Sequence, residues 1–142
     1  MSPDTTEHTE SGFTQPLPHT DKPRYLRPTV MLINELTQSQ AEHTGLFLEV
    51  ANGTKFIGSP TAGANGDVTT VLLPGNAHMS FSGHAVRHAD GRRLQRMGLV
   101  PDLRAQPTIA GLRAGRDEVL EAALRYFNRQ REPAEGRDRS AR

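Results

Sequence analysis

The fold of this chain is decided by ten residues, Asn34-Glu35-Leu36-Thr37-Gln38-Ser39-Gln40-Ala41-Glu42-His43. An apolar run, 29–33, leads directly into them, and an apolar-periodic segment, 41–51, follows. This pattern predicts a buried strand that ends in a short turn and opens a helix. A further short strand at 55–57 then favours a right-handed parallel strand–helix–strand unit.

Ser39 lies one residue before the predicted helix, and two interpretations of it are open. Its hydroxyl would sit near unpaired backbone N–H groups and the positive end of the helix dipole, where an alkoxide is stabilised. A nucleophile at a strand-to-helix turn is a recurrent arrangement. However, the segment 39–42 (Ser-Gln-Ala-Glu) is also a capping box, in which the serine only caps the helix. We treat His43, one helical turn further on, as a helix-surface or packing residue.

The composition excludes several classes of function. The 142 residues include 17 basic and 16 acidic side chains, so no general affinity for nucleic acid or an anionic membrane is expected. The absence of Cys excludes disulfides and thiolate metal sites. No apolar run approaches the roughly 20 residues that span a bilayer, and no signal peptide is visible. As written, the sequence predicts a soluble, cytoplasmic chain.

One small domain, residues 24–130, is predicted between two polar ends. Residues 1–23 are rich in Thr, Ser, Pro, His and acids and predict a disordered leader. Residues 131–142 are nearly all charged, Pro, Gly or Ser and predict a disordered charged tail.

The middle of the domain has the turn signals of antiparallel β-structure. Strands are predicted at 68–73 and 78–82, and a hairpin is predicted across Asp90-Gly91. One more strand is predicted within 99–103. The last element is a helix capped by Asp117, with an apolar stripe of Val119, Leu120, Ala123, Leu124 and Phe127.

No metal or cofactor site is predicted. His84 and His88 fall on one side of a predicted strand, with Asp90 nearby, but no third ligand has a recognisable spacing. A solvated strand face is the favoured interpretation. The segment 63–66 lacks the Lys and the following helix of a phosphate loop.

Five segments, in order along nearly all of the predicted domain, share the pattern of one family. They are Val30–His43, Gly58–Gly63, Val86–Gly91, Gly98–Asp102 and Gly115–Leu120. Together they resemble the tail-specific, or C-terminal-processing, serine peptidases, in particular the tricorn-like branch. The resemblance implies an α/β fold: a crotonase- or ClpP-like core fragment (strand–helix–strand), followed by an antiparallel β extension and a C-terminal helix.

The resemblance also implies a reaction. The Ser of the family's Asn-Glu-x-x-x-Ser-x-Ala-Glu segment is the nucleophile, which corresponds to Ser39 here. Ser39 would attack the carbonyl of a peptide or protein substrate, and water would release the acyl-enzyme. The alternative is a non-catalytic remnant, or a ligand- or protein-binding module, on the same fold. Members of the family are often exported.

This chain departs from the family's catalytic pattern at two positions. Ala64 stands where the Ser–Lys branch has its Lys, and Ala cannot accept a proton. Gln95 stands where the tricorn-like branch has a Glu before the Gly-x-x-Pro-Asp segment. Gln can orient a partner by hydrogen bonding but has no negative charge, so Gln95 is the candidate supporting residue.

A third departure concerns the upstream half of the site. The tricorn-like base is a His from an earlier segment, and the family's oxyanion-forming segment is also upstream. Only 38 residues precede Ser39 here. We therefore expect a partial serine-peptidase domain, with a partner chain or self-association supplying the missing half of the core.

Overall fold

The structure is a computed structural model that describes residue 12 and residues 14–131. The predicted tail from residue 132 onward, and the first eleven residues of the predicted leader, lie outside the described residues. No helix of the described part is long and apolar enough to cross a membrane. The elements are β1 (Val30–Ile33), α1 (Gln40–Asn52), β2 (Lys55–Gly58), β3 (Val68–Leu73), β4 (Ala77–Ser82), β5 (Leu103–Arg104), α2 (Ile109–Arg113) and α3 (Glu118–Arg131).

The predicted strand–helix–strand unit is confirmed. Strands β1 and β2 pair in parallel, from Val30 opposite Lys55 to Ile33 opposite Gly58, and α1 connects them. The helix ends at Gly53, which adopts the left-handed conformation (φ 62°) and returns the chain toward β2. The carboxyl end of β1 therefore leads straight into the turn that contains Ser39.

The predicted strand at 99–103 is present but shorter and shifted. Only β5 is extended, and it pairs in parallel with β2, so that the sheet has the order β1-β2-β5. The reason lies just before β5, where Pro101 has no N–H for a ladder. Asp102 anchors the segment instead: its N–H donates to the Phe56 carbonyl, and its carboxylate accepts the Phe56 N–H, both at 2.8 Å.

The antiparallel part of the prediction is half confirmed. Strands β3 and β4 form a hairpin, from Val68 opposite Ser82 to Leu73 opposite Ala77, and both strands are exposed throughout. The second predicted hairpin reduces to one bridge, Arg87 with Arg93. Its turn is present, but the ladder stops where Leu94 enters the core, fully buried.

Two small apolar clusters cover the two faces of the three-stranded sheet. On the α1 face, Leu46 packs with side chains from the strands and from the segment that follows β4; the cluster is Ile33, Leu46, Phe56, Leu94 and Leu99. On the α3 face, Ile57 packs with Ala122 and Ala123. The sheet therefore lies between the two long helices.

The predicted apolar stripe of α3 is confirmed in part: Ala123 is buried and Val119 packs against the same cluster, but the two predicted leucines are not buried. Leu120 and Leu124 are 44% and 54% exposed, whereas Ala122 and Ala123 are buried. The small alanines let the helix approach the sheet closely, which turns the larger leucines outward. The predicted cap is confirmed, since Asp117 accepts the N–H of Leu120 at 2.9 Å. Helix α2 was not predicted because five residues are too few to show a helical period.

Two glycines with positive φ provide a matched test of the β1–β2 junction. At Gly58 (φ 138°), an added Cβ would lie 1.8 Å from the Ile33 carbonyl oxygen. At Gly53, an added Cβ would have no atom within 4 Å. We expect Gly53→Ala to lower the free energy of unfolding by about 1 kcal/mol. Gly58→Ala should lower the free energy of unfolding by about 3 kcal/mol or more, because the Ile33 backbone must move to make room for the Cβ. Urea unfolding followed by circular dichroism measures both, and equal losses would contradict the close approach.

Asp102 predicts a pH dependence of stability. Burial by itself raises the pKa of Asp102, but hydrogen bonds from Lys55 Nζ (2.8 Å) and the Phe56 N–H outweigh it and hold the pKa below its usual value. A depressed folded-state pKa stabilises the fold above the unfolded value of about 3.9, and this contribution is lost as the pH falls through the folded pKa.

The measurement compares the unfolding free energies of the wild type and Asp102→Asn across pH. The difference should be constant from about pH 7 to pH 5 and should shrink below about pH 4. A difference that does not change with pH would show that Asp102 acts through neutral hydrogen bonds alone.

Candidate active site

The turn between β1 and α1 presents Ser39 in a strained backbone conformation. Ser39 has φ 54° and ψ −123°, which is rare for a non-glycine residue and costs on the order of 1–3 kcal/mol. The preceding turn is closed by Asn34, whose side-chain oxygen accepts the N–H groups of Leu36 and Thr37, both at 3.1 Å. The exposed Ser39 side chain is thus set at the edge of the sheet, at the start of α1.

The backbone of Ser39 is held from two sides. Its N–H points to the Ala64 carbonyl at 3.0 Å and to the Glu42 carboxylate at 3.2 Å, and its carbonyl accepts the N–H of His43 at 3.1 Å. Ser39 and Glu42 have the reciprocal arrangement of the predicted capping box, in which the Glu42 carboxylate accepts the Ser39 N–H, but the Ser39 side chain forms no N-cap hydrogen bond of its own. The Ser39 hydroxyl remains available for chemistry, because it donates to no acceptor among the described residues.

Glu42 is fully buried and receives several donors from the loop after β2. Its carboxylate accepts the Thr61 hydroxyl, the Gly63 N–H at 2.7 Å and the Ala64 N–H at 3.1 Å, in addition to the Ser39 N–H. The Thr61 hydroxyl oxygen in turn accepts the Leu99 N–H at 2.8 Å. The Ser39 turn and the loop after β2 therefore meet at this carboxylate, and Thr61 links the Leu99 segment to it.

The imidazole ring of His43 forms no hydrogen bond with the Ser39 hydroxyl. Its Nδ1 lies 3.5 Å from Asn65 Nδ2, its Nε2 lies 2.8 Å from the Gln15 side-chain oxygen, and its ring packs edge-on against Phe47 with centroids 4.9 Å apart. These contacts agree with the prediction of a packing residue. Ala64 contributes to the site only through its backbone.

Gln95 lies beside the 63–66 loop, and both ends of its side-chain amide form hydrogen bonds with backbone atoms. Its nitrogen donates to the carbonyls of Asn65 and His84, both at 2.7 Å, and its oxygen accepts the N–H of Val86 at 2.9 Å. It forms no hydrogen bond with Ser39. The structure thus places Gln95 as a brace between the 63–66 loop and the segment after β4.

The two histidines considered for metal binding are not brought together. His88 lies 2.6 Å from the Glu49 carboxylate of α1, and His84 lies 3.4 Å from Asp67. Among the described residues, no three His, Asp or Glu side chains are grouped as a metal site. The expectation of a solvated face is wrong for His88, which is only 6% exposed. Its partner Glu49 lies 39 positions away in the sequence, so no local signal identified the pair.

An open groove of about 580 Å³ lies at the carboxyl ends of the parallel strands, where α/β sheets commonly bind ligands. Its lining includes Glu35 and Thr37 of the Ser39 turn. Two hydrogen bonds to the Glu35 carboxylate lower the pKa of Glu35: one comes from its own backbone N–H and the other from the Ser59 hydroxyl at 2.9 Å. Glu35 is therefore ionised near neutral pH. Glu35 and Ser59 carry no local sequence signal of this contact, because only the tertiary structure brings the two loops together.

The sequence matches the model of peptidase family S41 over residues 3–105, which is more than half of the chain. The chain belongs to this family. A protein of Chlamydia pneumoniae is 34% identical over 95 residues, which cover 65% of this chain and 15% of that protein.

Solved structures of peptidases have the same fold over most of the chain. A putative peptidase from Parabacteroides merdae superimposes with a TM-score of 0.69 at 25% identity, covering 76% of this chain and 34% of that one. Mature CPAF in complex with lactacystin (TM-score 0.60, 24% identity) covers 76% and 21%, and the tricorn protease (0.57, 17%) covers 72% and 10%. The chain thus spans about a third or less of the length of these relatives.

Gln95→Glu tests the brace in this S41 domain. A carboxylate would place an oxygen against the Asn65 and His84 carbonyls in place of the donating amide, so we expect a loss of about 2 kcal/mol or more in the free energy of unfolding. Part of this loss should be recovered at a pH low enough to protonate the new carboxyl group. Gln106→Glu, at an exposed position, is the matched control and should change little. Equal effects of the two changes would rule out the brace.

Proposed function

We propose that this S41 domain contributes the nucleophile of a serine peptidase, and that the nucleophile is Ser39. The Ser39 oxygen attacks the carbonyl carbon of a peptide bond and its proton passes to a base. The proton then moves to the leaving amine, an acyl-enzyme remains on Ser39, and water hydrolyses that ester to free the acid. The substrate class is a peptide or protein segment.

The observation that carries this proposal is the strained, exposed presentation of Ser39. A helix cap does not require positive φ, since cap residues usually have extended backbone angles. Strain of this kind concentrates at functional sites, and a sharp strand-to-helix turn is how hydrolases expose a nucleophilic serine. The hydroxyl proton is also uncommitted among the described residues, which leaves it available to a base.

The turn also supplies a candidate oxyanion donor. The backbone N–H of Gln40, the residue after Ser39, is the first of α1 and has no acceptor in the described part of the chain. In strand-to-helix nucleophile turns, this N–H is one of the donors that stabilise the tetrahedral intermediate. The groove beside Thr37 would admit an extended peptide segment.

We infer that the general base, which accepts the Ser39 proton, lies outside the described residues. Ala64 offers no proton acceptor, and the Gln95 amide is fully used by backbone groups, so neither completes the site. We therefore propose that residues 24–130 are a partial peptidase domain with a crotonase- or ClpP-like core, and that another segment or a partner chain supplies the base. Gln95 then supports the site by bracing its loop.

These departures also favour a second candidate, a non-catalytic binding module on the same fold. Such a module would keep the groove and the folded turn without needing a base. The two candidates differ in one measurable property, the reactivity of the Ser39 hydroxyl.

A fluorophosphonate probe separates them. The folded wild type should be labelled, with peptide mapping that assigns the adduct to Ser39, and Ser39→Ala should lose the label. Ser82→Ala, which alters another exposed serine, should retain it. Labelling should also disappear in urea, because the reactivity depends on the folded turn. Because the proposed base lies in another segment or a partner chain, the assay is run on the full chain over a range of protein concentrations that covers its self-association. Absence of labelling in the well-folded wild type at every concentration would favour the binding module.

A further inference from the structure

The carboxylate of Glu42 is a buried anion surrounded only by donors. It is 0% exposed and accepts the N–H groups of Ser39, Gly63 and Ala64 and the hydroxyl of Thr61. None of the ion pairs among the described residues involves Glu42. Removing a carboxylate from water without a cation costs several kcal/mol unless hydrogen bonds replace the water. Here backbone N–H groups provide that replacement.

The two carboxylate oxygens divide their partners in an informative way. One oxygen accepts the N–H groups of Ser39 and Ala64, and the other accepts the Thr61 hydroxyl and the Gly63 N–H. The Ala64 carbonyl itself accepts the Ser39 N–H at 3.0 Å. Glu42 therefore acts on Ser39 directly and also on the residue that holds Ser39 from the other side.

We propose that Glu42 is a positioning residue that maintains the strained backbone of Ser39 and so aims its hydroxyl; the inference rests on the proposed role of Ser39 as nucleophile. A cap glutamate on a helix surface contributes only one exposed hydrogen bond. Glu42 instead joins the turn, the loop after β2 and, through Thr61, the Leu99 segment. Its charge strengthens each of these bonds relative to a neutral acceptor.

The proposal requires a carboxylate, and an amide of the same shape should not suffice. In Glu42→Gln one oxygen becomes an NH2 group, which would face either the Ser39 and Ala64 N–H groups or the Gly63 N–H. At least one buried N–H then loses its acceptor. Glu49→Gln is the matched control: it makes the same change on the same helix, at a residue that contacts His88 and Arg92.

The first measurement is the rate of fluorophosphonate labelling of Ser39. We expect Glu42→Gln to lower it at least about tenfold, as loss of one charged hydrogen bond predicts, and Glu49→Gln to change it less than about threefold. A folded Glu42→Gln variant that is labelled at the wild-type rate would overturn the proposal. If Glu42→Gln does not fold, Thr61→Val removes one donor to the carboxylate together with the acceptor of the Leu99 N–H, and leaves the carboxylate in place. A slower rate then supports the proposal and an unchanged rate overturns it.

The second measurement is chemical rescue. Glu42→Ala should leave a cavity lined by the same donors, and added formate should restore labelling, whereas chloride at equal ionic strength should not. A purely structural loss of helix stability would not respond to formate. Labelling of Glu42→Ala that is slow and is not restored by formate would count against a positioning role.

Amide hydrogen exchange separates this inference from the proposed function. In Glu42→Gln, exchange at Ser39, Gly63 and Ala64 should accelerate at least about tenfold, while amides of α3 keep their protection. If the wild type is not labelled but these amides depend on Glu42, the nucleophile proposal fails and the positioning of the turn stands. Unchanged exchange at all three amides would refute the positioning of Ser39 whatever its reactivity.

Discussion

The buried carboxylate of Glu42 is the interaction on which the site depends. A single anion, with no cation beside it among the described residues, accepts the N–H groups of Ser39, Gly63 and Ala64 and a hydroxyl. Each of these donors would otherwise be removed from water without a hydrogen-bond partner, so the turn and the loop stabilise each other through this carboxylate. The strained conformation of Ser39 follows from this arrangement rather than from the local sequence alone.

The rest of the fold brings these segments within reach of one another. Parallel pairing of β1 and β2 puts the Ser39 turn and the loop after β2 at the same edge of the sheet. Asp102 ties β5 to β2 through both its backbone and its side chain, and thereby places the preceding Leu99 segment next to Thr61. The α3 face closes by close approach of Ala122 and Ala123 to the sheet, so its leucines face outward.

The chain belongs to peptidase family S41, and its own residues define the chemistry that is available beside the strand-to-helix turn. Ala64 contributes only backbone to the site, and Gln95 uses both ends of its amide on carbonyl and N–H groups. An amide at position 95 suits this role because a carboxylate cannot donate. These residues therefore support the Ser39 turn, and under the proposed function the proton acceptor lies outside them.

The sequence by itself determined the local elements. The 34–43 segment predicted strand, turn, cap and helix, because apolar periodicity and capping chemistry act over a few neighbouring residues. The tertiary structure decided what depends on distant partners. It buried Glu42 against Gly63 and Ala64, paired His88 with Glu49, left two leucines of the predicted α3 stripe exposed and shortened the 99–103 strand to β5. These outcomes depend on which surfaces meet, and contacts between residues about 20 to 40 positions apart leave no local pattern.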